Sequence, residues 1–145
     1  MRYAYTSDFK TFTAPKTYVS LGDAPVIDMS LLQDGNALKR FYVTGGGPVE
    51  QTSTNGLFGD WTTVNGAIAG SDGFEAPYAF WDNVDIHRAY LLCDKVGSGA
   101  GIHAWTSSNG HADSFAVDNT HNLAFMRHLS VLSVNQKQFD ALSAL

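Results

Sequence analysis

Three segments of the chain can be laid over one another, and each carries a chemically capable side chain at the same point. Val26-Ile27-Asp28-Met29-Ser30-Leu31-Leu32 aligns with Gly73-Phe74-Glu75-Ala76-Pro77-Tyr78-Ala79 and with Met126-Arg127-His128-Leu129-Ser130-Val131-Leu132. Asp28, Glu75 and His128 fall in register, 47 and then 53 residues apart. Each of the first two copies is followed by a turn, an apolar strand, a Thr-Ser strand and a closing strand. A repeat of about 40–50 residues with several strands per unit is the sequence sign of a β-propeller blade. Innermost strands of a propeller line one central channel, so the alignment brings two acids and a histidine to one place.

Short apolar and β-branched runs broken by Gly, Asn and Asp clusters carry the same message. They predict strands at 26–32, 38–44, 49–54 and 61–64, a second set at 74–80, 87–93, 101–107 and 114–117, and a lone inner strand at 124–134. Tyr3 to Ser7 and Ala14 to Ser20 read as the outer two strands of a further blade. Thr6-Ser7, Thr52-Ser53 and Thr106-Ser107 occupy equivalent third strands, each followed by a turn and an aromatic, Phe12, Trp61 or Phe115. The end differs: Phe139, Leu142 and Leu145 recur at helical spacing after Asn135, a residue type that caps helices. The expected fold is therefore all-β, a partial β-propeller of about two and a half blades with one short C-terminal helix, forming a single half-propeller domain over 1–145. An open arc of blades exposes sheet flanks and apolar faces. Two-fold dimers are the commonest oligomers, so the expectation includes homodimerisation that completes a five-bladed ring.

Composition excludes several function classes. The net charge is −5 with nine Lys plus Arg and no basic cluster, which argues against a nucleic-acid partner. No apolar run reaches the length needed to span a bilayer, so no membrane partner is expected. The first residues lack the apolar core of a secretory signal, which points to a cytoplasmic protein or a processed secreted one. Cys93 is the single cysteine, so an internal disulfide is impossible and a buried, hydrophobe-like role is expected. His87, His103, His111 and His121 form no pair at helical metal-ligand spacing. No glycine-rich segment leads into a helix as a nucleotide loop requires, and no Gly-x-Ser-x-Gly elbow is present.

Five segments together resemble the five-bladed propeller glycosidases of glycoside hydrolase family 43, the arabinofuranosidase and β-xylosidase group. These are Tyr5-Thr6-Ser7-Asp8-Phe9-Lys10-Thr11-Phe12, Val26-Ile27-Asp28, Asn55-Gly56-Leu57-Phe58-Gly59-Asp60-Trp61, Phe74-Glu75-Ala76-Pro77 and Arg127-His128-Leu129-Ser130-Val131-Leu132. The similarity runs over nearly the whole chain but only the last half of that family's catalytic domain. It implies that Glu75 matches the proton donor, Asp28 the acid that orients the sugar and tunes the donor, and His128 a histidine beside a channel ion or water. The general base of the family belongs to a first blade that this sequence does not match, and Leu129 stands where a glycine follows the histidine.

Two functional readings follow. Glycoside inversion needs two carboxyls flanking the bond, one protonated and one activating water; Glu75 and Asp28 would be the catalytic pair, with a dimer partner completing the site. Binding asks less: hydrogen-bonding groups for sugar hydroxyls and an aromatic face for the ring. Asp28, Glu75 and His128 would supply the first, and Tyr78, Trp81 or Trp105 the second, although Trp61 and Trp105 also suit core positions. The missing base favours a lectin-like, glycan- or oligosaccharide-binding protein over an enzyme. No cofactor is required in that reading; a channel ion such as calcium beside His128 is the one the resemblance implies.

Overall fold

Residues 1–64 and 68–144 are described by the computed structural model, with the backbone alone at Asn122. Leu145, the last apolar residue of the expected helix, lies outside them. Two four-stranded antiparallel meanders form the body. The first contains β3 (Ile27–Asp34), β4 (Ala37–Thr44), β5 (Gly47–Ser53) and β6 (Thr62–Thr63) in that spatial order. The second contains β7 (Phe74–Trp81), β8 (Ala89–Lys95), β9 (Gly101–Ser107) and β10 (Ala116–Leu123). A two-stranded sheet of β1 (Arg2–Tyr3) and β2 (Lys16–Thr17) precedes them. Sequential four-stranded meanders packed face to face are propeller blades, so the all-β, partial-propeller expectation holds.

The blades stack through the alternation of their strands. Phe41 and Leu32 of the first blade pack against Phe74, Ala79, Leu91, Cys93, Trp105 and Phe115 of the second. The neighbouring residues Arg40 and Tyr42 turn to the opposite face, where the Arg40 guanidinium lies 4.1 Å from the Trp61 ring centroid and 5.2 Å from that of Tyr18. Both faces of β4 are thus covered, and residues 39–42 are buried without a break. Trp61 is half-buried beneath that guanidinium rather than part of the apolar core, because its blade face meets a cation.

The Thr-Ser repeat acquires a local cause. Ser53 Oγ donates to Asn55 Oδ1 (2.9 Å) and Gly56 O (3.0 Å), while Ser107 Oγ bonds Asn109 Oδ1 (3.1 Å) and accepts from Gly110 N (2.7 Å). In the N-terminal copy Thr6 and Asp8 fill these roles, and Asp8 also accepts from Thr11 N (2.8 Å) and Lys10 N (2.9 Å). Those amide bonds hold the Asp8 carboxyl down to about 2. A hydroxyl that closes the turn after the third strand is what the repeated dipeptide encodes.

Two expectations need correction. Residues 124–134 are not a strand: an inner strand requires a neighbouring strand to ladder with, and no strand among the described residues does so. The segment instead lies on the outer face of the second blade, where Met126, Leu129 and Val131 pack against Leu92, Ile102 and Ala104. Gly101, at φ +117, lets it cross, since a Cβ there would fall 2.3 Å from Ala124 O. The closing strand of the second blade is also longer than expected and runs to Leu123. The helix α1 (Gln136–Ser143) appears as anticipated, with a capping box in which Asn135 Oδ1 accepts from Gln138 N (2.9 Å) and Gln138 Oε1 accepts from Asn135 N (2.9 Å).

Candidate functional site

Each inner strand opens with a one-residue irregularity. Ile27 faces Val43 and Ser30 faces Phe41 on either side of the first, and Glu75 faces Asp94 and Tyr78 faces Leu92 on either side of the second. Such a β-bulge leaves one residue unpaired and re-aims its neighbours. Left-handed backbone marks the bulged residue: Asp28 (φ 55), Ala76 (φ 49) and, in the third segment, His128 (φ 38). Left-handed φ in non-glycine residues costs energy and gathers at functional sites.

This geometry corrects the sequence register by one residue. Asp28 and His128 are equivalent, but their counterpart in the second blade is Ala76; Glu75 sits one position earlier, at the position equivalent to Ile27 and Arg127. The sequence alignment matches acid to acid, and the shift is invisible in sequence because a bulge adds no distinctive residue type. The correction is supported independently by an open cleft of about 330 Å³ whose walls are three corresponding tripeptides, 28–30, 76–78 and 128–130.

The three segments are tied in series around this cleft. Asp28 Oδ2 accepts from Ala76 N at 3.1 Å, joining the first blade to the second. Across the β7–β8 ladder, Glu75 stands opposite Asp94, and both meet the third segment. Arg127 Nε donates to both Asp94 oxygens (2.8 and 2.6 Å), His128 Nε2 lies 3.3 Å from Asp94 Oδ2, and the same nitrogen lies 3.0 Å from Glu75 Oε1. Asp94 has no exposed side-chain surface, Glu75 is 29% exposed, and Arg127 and His128 are about half exposed (49% and 51%). The buried carboxylate thus serves as an anchor, while the Glu75 and His128 side chains remain partly exposed. Tyr78 lines the cleft and donates from its hydroxyl to Val131 O at 3.2 Å, holding the third segment in place.

Glu75, Asp94 and His128 bring possible ligand atoms within 4.8 Å of one another. The set suits calcium poorly, because that ion takes six to eight oxygen donors, and here the Arg127 guanidinium already supplies a positive charge to Asp94. The residues therefore fit an internal ion pair better than a bound cation.

The remaining site candidates separate. Trp105 is 1% exposed, its indole N–H donating to Ala69 O at 2.7 Å, and it cannot offer a face to a sugar. Residue type marks it no differently from Trp81, since each is a tryptophan in or beside a short strand. Trp81 lies at the opposite end of β7 from Glu75, with its indole N–H donating to Gln33 O at 2.8 Å. Asp94 and Arg127 are the partners that sequence reasoning did not single out. A lone carboxylate closing the run Tyr90-Leu91-Leu92-Cys93 was the available signal, since a carboxylate on a buried strand requires a partner. Cys93 is buried as expected, and burial pushes its thiol far up.

Comparison with known proteins agrees with this architecture. The model of a family related to glycoside hydrolase family 43, described as a probable glycosyl hydrolase domain, matches residues 1–140. The chain belongs to that family. Among solved structures it is similar to the catalytic domain of the Coprinopsis cinerea GH62 α-L-arabinofuranosidase, at a TM-score of 0.60 and 20% identity over 85% of this chain. The chain spans 45% of that domain, and at this identity the likeness is one of fold. No curated protein matches the chain.

Proposed function

We propose that this domain binds glycans at the cleft formed by residues 28–30, 76–78 and 128–130. The observation that carries the reading is the convergence of two bulged strands and a third segment with left-handed backbone on one open cleft that holds Asp28 and His128, with Glu75 bonded to His128 beside it. Carboxylate acceptors, an imidazole and a tyrosine ring fixed by neighbouring blades provide what a sugar needs: partners for hydroxyls in a preformed recess. Each polar group is already tied, Asp28 to the Ala76 amide and Glu75 to His128. Pre-tied groups suit recognition, because little ordering is left to oppose binding.

The second reading is hydrolysis of an arabinofuranoside or xyloside, with Glu75 as proton donor and a second chain completing the site. Family membership and the partial exposure of Glu75 favour it. We also propose that two copies associate, because Ile27, Leu31, Leu132 and Phe139 leave large apolar surface exposed.

A glycan array probed with the wild type and Asp28→Ala tests the binding reading. Signals for pentose-containing glycans that vanish in Asp28→Ala support it, and an array silent for the wild type refutes it. Turnover of an aryl arabinofuranoside or xyloside that disappears in Glu75→Gln would establish the enzymatic reading instead.

A further inference from the structure

We propose a second oligosaccharide groove, at the other end of the two blades from the cleft described above and independent of it. A recess of about 530 Å³ opens between the ends of β3 and β7, the loop after Trp81 and the loop that carries residues 108–111. One wall is Trp81, whose ring is held by the bond from its indole N–H to Gln33 O (2.8 Å). Behind it lies Lys39, 1% exposed, with Nζ 2.9 Å from Asp34 Oδ2, 2.7 Å from Asn109 O and 5.9 Å from the Trp81 ring centroid. Glycine is required where the loop presses on this pair. Gly110 has φ +65, and a Cβ there would stand 3.2 Å from Lys39 Nζ and 3.3 Å from Trp81 Cη2.

The facing wall is equally braced. Glu50, with no exposed side-chain surface, accepts from Ala112 N through one carboxylate oxygen, and its other oxygen lies 3.5 Å from His111 Nδ1. That second oxygen has no hydrogen-bond partner closer than this. A carboxylate behind Nδ1 orients the imidazole and leaves Nε2 as its other hydrogen-bonding atom. His111 lines the groove together with His87, Asn109 and Asp82. Asp82 accepts from Val84 N (2.7 Å) and Asp85 N (3.2 Å), which keeps its carboxyl below the ordinary value and so ionised.

The lining identifies the ligand class. Donors and acceptors line the recess together with an indole and Ile86, which is 71% exposed. Among the described residues that line the recess there is no Lys or Arg, and Lys39 behind it is already bonded to Asp34 and Asn109, so a phosphate or other anion finds no free ammonium or guanidinium there. A neutral ring with an apolar C–H face and a rim of hydroxyls matches the groove, which is the chemistry of a sugar chain.

The test is a titration of the ¹⁵N-labelled chain with xylotetraose and, separately, arabinotetraose. Expected are amide shifts at His87, Asn109 and Gly110 that persist in Asp28→Ala and Glu75→Gln. His87→Ala, at an exposed position, and Trp81→Phe should each weaken binding read at those amides by about tenfold. Absence of shifts in this loop with both sugars, or shifts that neither substitution weakens, would overturn the proposal. Failure of the first cleft is read separately, at Ala76 and His128.

Discussion

The two ends of the blade pair carry nearly the same chemical inventory in opposite settings. One end holds Glu75, Asp94, Arg127 and His128; the other holds Asp34, Glu50, Lys39 and His111. Each has two carboxylates, one fixed cation and one histidine, with one carboxylate wholly buried. The difference lies in who supplies the cation. At the first end it is Arg127, half exposed, on a segment that has no strand partner among the described residues. At the second it is Lys39, buried in the central strand of a blade and bonded to the next blade's loop. Equal residue types thus form a surface-facing cluster in one case and an inter-blade lock in the other. Burial and the element that carries the cation decide which.

Substitutions test this contrast, and the lock should be the costlier to break. Lys39→Met leaves Glu50 buried without its nearby cation and Asn109 O without its donor. A loss of about 3 kcal/mol is expected in urea unfolding, as for removal of one partner from a buried charge cluster. Asp94→Ala should cost less, about 2 kcal/mol for hydrogen bonds to a charged group, and should speed proteolytic cleavage within residues 124–134. An Asp94→Ala loss exceeding that of Lys39→Met would reverse the assignment of lock and surface cluster.

The smallest effect concerns pH. Burial raises the Glu50 carboxyl above its ordinary value of 4.5, opposed by the Ala112 amide bond and by Lys39. The folded chain then holds a proton that the unfolded chain releases, so this contribution to stability is full below the ordinary value and is lost as pH rises through the folded one. Glu50→Gln keeps an acceptor for Ala112 N and should flatten that slope in thermal unfolding followed from acid to neutral pH. An unchanged slope would mean that Glu50 is not the titrating group.

Much of this arrangement was legible in the sequence, for identifiable reasons. The meanders are written in local signals: turn clusters, alternating apolar residues, and a Thr-Ser step whose hydroxyl closes the next turn. The cap of α1 is equally local, since Asn135 and Gln138 satisfy each other. What stayed hidden is non-local. The bulge that puts Asp28 opposite Ala76 rather than Glu75 depends on how β3 and β7 pair with their neighbours. The burial of Lys39 and Glu50 depends on a loop 62 or more residues away. Trp81 and Trp105 share one sheet face and differ in depth, Trp105 lying within β9 between the blades and Trp81 at the end of β7. Residues 124–134 have the composition of a strand, and composition cannot supply the neighbour that a strand requires.

The central claim is that the cleft of 28–30, 76–78 and 128–130 holds a sugar through Asp28 and His128, with Glu75 bonded to His128 beside it. Its most direct test follows the Ala76 amide, which is bonded to Asp28, and the His128 ring resonances while arabinotetraose or xylotetraose is added. The account predicts that both move together with one saturation curve, and that Glu75→Gln weakens that curve by about tenfold. Resonances that stay fixed in the wild type with both sugars would contradict it.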